Sequence, residues 1–437
     1  MEHYLGNGIC PCGKAHSASV EEIALGKGAI GRLVSFVDKF NAKKPFLLSD
    51  CNTFAAAGER VCRVLEENGV AYTSYCFQNE HLEPDETAVG SAVMHFDNSC
   101  DLIVAVGSGV INDIGKILSN VTGRKYIIVA TAPSMDGYAS ATSSMSMDGL
   151  KVSLNSRCAD VIIGDTDILK NAPLHMLKSG LGDMLAKHVS IAEWRISHII
   201  TGEYYCERVA QLIRDALKKC VDNAEGLLQR DEKAVEAVFE GLVVGGIAMA
   251  YAGVSRPASG VEHYFSHIWD MRGLEFGTQV DLHGIQCALG TLQAVKLYDE
   301  IRQITPDPLK AEAYVGNFSL EDWKCELRDF LGNSAETMIA QEERERKYDK
   351  STHPARFALI RENWDEILRI LDEELPTYQQ LSGVLDTIGI SKELSSIGID
   401  RPTVVRTFKA TKDIRDKYVL SRLAWDLGVL DELCEVL

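Results

Sequence analysis

Four side chains in this sequence have types and positions that suit metal chemistry. Asp183 stands in GLGDMLAKH, His263 and His267 in GVEHYFSHIWD, and His283 in VDLHG. Residues i and i+4 of a helix share a face, so His263 and His267 project together. A carboxylate with several imidazoles suits Zn, Fe or Ni, and three protein ligands leave room for a substrate oxygen. That open position is what a Lewis-acid site requires. The separations are long and form no short metal motif. Histidines that are merely hydrogen-bonded near a core would give the same pattern.

A second segment suits phosphate. VAVGSGVINDIGK (104–116) runs an apolar strand into Gly107, Ser108, Gly109 and Val110 and then a helix. Glycines admit a close ligand, and the N–H groups of a helix start favour phosphate or pyrophosphate. Asn112 occupies the place of the last glycine in GxGxxG, so the dinucleotide fingerprint is incomplete. Nucleotide binding and a ligand-free junction are both open at this point. ATAPSMDGYASATSSMSMDG (130–149) follows another apolar strand and carries Thr131, Ser134, Asp136, Ser140, Thr142 and Ser143. In an open parallel sheet, ligands bind at the carboxyl ends of strands. This stretch reads as a cofactor-lining loop or as an ordinary Ser-rich one.

The third group is Cys10, Cys12 and His16, in CPCGKAH. It is either a metal site lacking a fourth ligand, at a spacing unlike a zinc finger, or an ordered, non-catalytic arm. Cys62 and Cys287 lie in apolar-patterned segments and read as core residues. The 12 cysteines are scattered through a long chain, so reduced thiols are expected.

These residues need a scaffold. From about 20 to 165, short apolar runs alternate with helical periodicity: FLLSD ending at Asp50, DLIVAVG (101–107), KYIIVA (125–130) and ADVIIGD (159–165). Buried strands separated by helices predict a parallel sheet covered on both faces. After about 170, helical patterns dominate, over 204–228, 232–252, 355–373 and 403–437. We therefore expect an α/β nucleotide-binding domain over 1–165 and an all-α metal- and substrate-binding domain over 166–437. The charged stretch 340–350 is expected to be a solvated helix face or a linker.

Composition narrows the partners. At 437 residues two domains are natural. The net charge of −18, from 45 Lys+Arg against 63 Asp+Glu, disfavours nucleic acid and anionic membranes. A small phosphorylated substrate stays possible, because local donors act within a screening length. No apolar run is read as a membrane span, and MEHYLGNGICPCGK lacks the pattern of a secretion signal, so a cytoplasmic location is expected.

Five segments together carry a resemblance: VGSGVINDIGK, TAPSMDGYASATSSM, GLGDMLAKHVSIAEW, RPASGVEHYFSHIWDM and LHGIQCALGTL. In this order they resemble the glycerol-1-phosphate dehydrogenase family, within the iron-containing alcohol dehydrogenase and dehydroquinate synthase superfamily. The likeness spans about 20–295. Its SMDG and RPASGVEH segments separate that family from plain glycerol dehydrogenases.

The resemblance implies a Rossmann-like, dehydroquinate synthase-like fold and reduction of dihydroxyacetone phosphate by NAD(P)H with one divalent metal (Zn, Ni or Fe). It assigns the metal to Asp183, His263 and His283, with Asp183 also close to substrate. His267 is placed near substrate as the proton donor, and Asp136 on the substrate hydroxyls. Gly107, Ser108, Gly109, Val110, Thr131, Ser134 and Ser140 would line the NAD(P) site. Asp50 would accept from the adenosine ribose and disfavour a 2′-phosphate, a lean towards NADH. Lys187 and Arg256 are each open to a phosphate-holding role or an ion pair. A homo-oligomer is expected. The competing readings are a glycerol or polyol dehydrogenase, a dehydroquinate-synthase-like cyclase, and a non-catalytic NAD or metabolite sensor.

Overall fold

The computed structural model describes residues 8–437 except Glu80, Asp148 and Gly149. By internal packing the chain forms two compact units: Met1–Met184 with Arg208–Val254, and Leu185–Glu207 with Ser255–Leu437.

The first unit holds the strands. In chain order they are β1 (Gly8–Ile9), β2 (Ala15–His16), β3 (Glu22–Gly26), β4 (Pro45–Asp50), β5 (Thr73–Phe77), β6 (Leu102–Gly107), β7 (Lys125–Ala130), β8 (Thr142–Met147), β9 (Leu150–Asn155) and β10 (Val161–Asp165). Six form one parallel sheet in the order β3-β10-β7-β6-β4-β5. Every residue of β6 and β10 is buried, which is why those strands read as unbroken apolar runs. From β4 the chain adds β5 on one side and then returns to place β6 on the other. Such a reversal of strand order opens a crevice at the carboxyl ends. Leu48 pairs with Ala105 there, two residues before Asp50 and Gly107.

The segment 130–149 is not all loop. From Thr142 it is strand β8, paired antiparallel with β9. Ser143 and Met145 point inward and are buried. Serine on both faces hides the period of two from a hydrophobicity reading.

Contrary to the expectation that no apolar run reads as a span, among the described residues one helix, Glu232–Ala252, is long and apolar enough to cross a membrane by length and composition. Its most apolar window is 72% buried, as befits a core helix apolar on all sides. A Cβ on Gly164 of β10 would stand 2.3 Å from the Phe239 ring, and one on Gly246 would stand 2.8 Å from Ala139. Both glycines are set by this helix's close approach to its neighbours.

The second unit is helical among its described residues. Its leading helices are Lys187–Thr201, Val261–Phe276 and His283–Ile301, followed by a run from Pro308–Asn317 to Leu430–Cys434. The helix expected over 355–373 breaks at Asn363 into His353–Glu362 and Trp364–Glu374. Within the charged stretch 340–350, Glu342 is buried and accepts from the N–H groups of Lys347 and Tyr348, so that side chain is a loop anchor and not a solvated face.

Candidate active site

In the first unit the candidate residues gather at strand ends. Gly107 closes β6, Ser108 precedes the helix Gly109–Thr122, and Val110 lies in its first turn. A Cβ on Gly107 would stand 2.4 Å from Ile111 Cβ, so the helix start itself demands glycine there. Thr131 N–H donates to the Gly107 carbonyl at 3.1 Å, and the Ser108 and Ser134 hydroxyls share a hydrogen bond of 2.6 Å. Thus Gly107, Ser108, Thr131 and Ser134 form one connected patch at the ends of β6 and β7. Ser140 lies further along and bonds to Thr142 at 2.9 Å. Asp50 ends β4, where Oδ1 accepts from Thr53 N–H at 2.8 Å and caps the next helix.

Two residues outside the sequence-based set shape this patch. Asn112 is fully buried, donates to the Gly137 carbonyl at 3.1 Å, and accepts from the Tyr126 hydroxyl at 2.9 Å. Lys116, also fully buried, donates to the carbonyls of Gly137 at 2.7 Å and Thr142 at 3.0 Å. In the place of the fingerprint's last glycine, an amide ties the helix to the SMDG loop.

That loop is fixed from the other side as well. Asp136 N–H donates to Asp183 Oδ2 at 3.0 Å, and Ser179 Oγ donates to the Ser134 carbonyl at 2.9 Å. The helix Leu174–Leu185 comes so close at Gly180 that a Cβ would stand 1.8 Å from the Pro133 carbonyl oxygen. Asp183 is fully buried; Asp136 is partly exposed.

In the second unit three imidazoles converge. The His263 and His283 ring centroids are 5.1 Å apart, those of His267 and His283 5.8 Å, and those of His263 and His267 6.4 Å. Helix packing brings this about. A Cβ on Gly290 would stand 2.6 Å from the Glu262 carbonyl, so the helices carrying His263 and His283 cross backbone to backbone.

Each of the two histidines among the three expected ligands is oriented through Nδ1. His263 Nδ1 bonds to Glu262 Oε1 at 2.8 Å, and His283 Nδ1 bonds to Ser266 Oγ at 3.0 Å. A hydrogen bond on Nδ1 leaves Nε2 as the nitrogen that could hold a metal. Cys287 Sγ stands 3.5 Å from His283 Nε2, and one ligand atom each from His263, His283 and Cys287 fall within 4.8 Å of one another. Burial alone would raise the Cys287 thiol, but His263 and His283 bring it below its ordinary value. Cys287 is therefore more than core filling: it puts a soft donor beside the imidazoles.

A buried acid pair underlies this group. Glu193 accepts from Val261 N–H at 2.9 Å and Leu420 N–H at 2.8 Å. Burial, with the adjacent Glu262 charge, pushes its carboxyl up to about 8. The two basic candidates are both structural in setting. Arg256 is buried and donates to Glu203 Oε2 at 2.8 Å and to the Tyr418 carbonyl at 2.9 Å. Lys187 is buried and donates to the Ala258 carbonyl at 3.1 Å.

Comparison with known proteins decides the family. Over 294 residues the chain is 33% identical to a glycerol-1-phosphate dehydrogenase [NAD(P)+] of Halalkalibacterium halodurans, covering 66% of this chain and 73% of the relative. The chain belongs to the glycerol-1-phosphate dehydrogenase family. A relative of the same name from Geobacillus stearothermophilus is 28% identical over 410 residues, covering 93% of this chain and 92% of its own. Residues 24–173 match the model of the iron-containing alcohol dehydrogenase family. The fold agrees: the glycerol dehydrogenase structure from Schizosaccharomyces pombe superposes with a TM-score of 0.62 at 18% identity, over 95% of this chain and 90% of that one. Family membership makes the chain an NAD(P)-dependent oxidoreductase acting on a CH–OH group, in a superfamily where a divalent metal is typical.

Proposed function

We propose that this chain is an sn-glycerol-1-phosphate dehydrogenase. It interconverts dihydroxyacetone phosphate, NAD(P)H and a proton with glycerol 1-phosphate and NAD(P)+. The names of its relatives support the substrate. The observation that carries the chemistry is the pair of imidazoles, His263 and His283, each held through Nδ1 by Glu262 and Ser266.

That arrangement fits a divalent metal, for which we assign Asp183, His263 and His283 as ligands. When bound, such an ion supplies Lewis acidity to a carbonyl oxygen. NAD(P)H supplies the hydride, and we assign its site to Asp50, Gly107, Ser108, Gly109, Val110, Thr131, Ser134 and Ser140. In this reading 1–165 takes the cofactor and 166–437 the metal and substrate.

The chain's own residues do the rest. Glu262 fixes the tautomer of His263, and Ser266 orients His283. Asp136, its backbone tied to Asp183, orients the substrate hydroxyls. His267 would deliver one proton, replenished from solvent, to the carbonyl oxygen, which with the hydride that bound NAD(P)H supplies would give a secondary alcohol. Asp50 favours a free ribose 2′-hydroxyl over a 2′-phosphate.

The test is substrate discrimination. NADH oxidation should proceed with dihydroxyacetone phosphate and fall sharply with dihydroxyacetone. Equal rates on the two ketones would replace this reading with a polyol dehydrogenase. Turnover of neither, with NADH still bound, would leave a sensor.

A further inference from the structure

The hairpin of β1 and β2 carries Cys10, Cys12 and His16, which have no part in the proposed reaction. Its turn is built for close approach. Gly13 N–H donates to the Cys10 carbonyl at 2.9 Å, and Cys10 N–H donates to the Lys14 carbonyl at 2.9 Å. Pro11 takes the second turn position, where its fixed φ fits, and Gly13 has a φ of +86°.

The turn folds both thiols towards His16. One ligand atom each from Cys10, Cys12 and His16 lie within 4.8 Å of one another. Cys12 Sγ is 3.4 Å from His16 Nε2. Tetrahedral zinc, with bonds of about 2.3 Å to sulfur and about 2.0 Å to nitrogen, sets the two donors roughly 3.5 Å apart. A thiol–imidazole hydrogen bond alone would explain that contact, but not the convergence of Cys10, which is only 3% exposed.

The imidazole is also oriented as a ligand. His16 Nδ1 bonds to the Tyr251 carbonyl at 2.9 Å, and its ring stacks on Tyr251 at 5.3 Å. A carbonyl on Nδ1 leaves Nε2 free to face a metal, as in most histidine ligands.

We propose that Cys10, Cys12 and His16 bind a zinc ion through two thiolates and one imidazole. Cys10 and His16 are both buried within the first unit, so the ion holds the hairpin and does not meet substrate. It ties the N-terminal hairpin to the end of the helix Glu232–Ala252, through Tyr251. The proposal does not rest on the catalytic reading.

The two metals can be separated by variants. Full-length protein carrying His263→Ala and His283→Ala, purified from zinc-supplemented culture, should retain one equivalent of zinc. X-ray absorption should show sulfur ligands from both Cys10 and Cys12 beside nitrogen on it. Cobalt substituted for that zinc should show the intense ligand-field and thiolate charge-transfer bands of a tetrahedral site. Adding Cys10→Ser and Cys12→Ser should remove the equivalent. The cobalt spectrum uses intact ligands, so it decides even where the serine variants fold poorly. No zinc and no thiolate charge transfer, or a Cys10–Cys12 disulfide in freshly purified protein, would overturn the site. A zinc bound without sulfur would overturn the place of Cys10 and Cys12.

Discussion

The main-chain N–H of Asp136 donates to the carboxylate of Asp183 at 3.0 Å. The loop after β7 and the helix Leu174–Leu185 are thereby locked together, so a residue assigned to substrate is positioned by one assigned to metal. Asp183→Asn keeps an oxygen to accept that hydrogen bond and removes the charge. We expect the fold to persist, metal content to fall, and turnover to drop by roughly 100-fold or more, since a ligand should matter at least as much as its outer partners. Metal analysis and steady-state rates on one preparation check this; unchanged metal content with full activity removes Asp183 from the ligand set.

Glu262 acts on His263 from behind. Its Oε1 holds Nδ1, while Oε2 is buried without a hydrogen-bond partner among the described residues. Glu262→Gln should weaken metal binding or activity by about 10- to 100-fold, the usual cost of losing a carboxylate that holds a ligand histidine. A metal titration followed by activity gives the number. Cys287→Val probes the neighbouring thiol, and a comparable loss of metal affinity there would add Cys287 to the ligand set.

Gly180 sets the depth of the loop–helix contact. An added Cβ would stand 1.8 Å from backbone, the Pro133 carbonyl oxygen, which cannot swing away as a side chain could. Gly180→Ala should therefore destabilise by roughly 1–3 kcal/mol or more. Gly31→Ala, with nothing within 4 Å, serves as the control and should change little. Denaturant midpoints of the two variants make the comparison.

Asp50 has two duties, one observed and one proposed. It caps the helix after β4, and its charge would repel a 2′-phosphate. Asn is an equally good cap, so Asp50→Asn separates the two. Stability should hold while kcat/KM for NADPH rises relative to NADH. An unchanged cofactor ratio would take Asp50 out of the cofactor site.

Glu193 predicts a pH dependence of stability. Burial and the Glu262 charge raise its carboxyl from the ordinary value of 4.5 to about 8. The folded state then holds this proton more tightly than the unfolded chain. Its contribution is fully present below about 4.5 and is lost as pH rises through about 8, with a slope of at most about 1.4 kcal/mol per pH unit. Glu193→Gln should flatten unfolding free energy across that window. Identical slopes in the two proteins would show that Glu193 is not the titrating group.

The sequence revealed those parts whose signal is local. The strands β6, β7 and β10 are apolar runs because both faces of the sheet are covered. Asp183, His263, His267 and His283 stood out by residue type alone. Contacts made to distant backbone were illegible: the Lys116 ammonium finds the carbonyls of Gly137 and Thr142, and nothing in its local pattern marks it as buried. Strand β8 was hidden because TSSMSM places serine on its inward face as well as its outward one. Gly180 and Gly290 look like ordinary helix glycines until the segment each one touches is known. Glu262 could have been found, since an acid directly before a candidate ligand can reach that ring's Nδ1.

Asp183, His263 and His283 are the proposed ligands of a metal that serves reduction of a phosphorylated ketone. The most direct measurement is NADH oxidation with dihydroxyacetone phosphate by EDTA-stripped protein, before and after adding Zn, Ni or Fe, beside His263→Ala. Stripped protein should show no turnover, at least one of these metals should restore it, and none should restore it in the variant. Full turnover in metal-free protein, or full recovery in His263→Ala, would contradict that role.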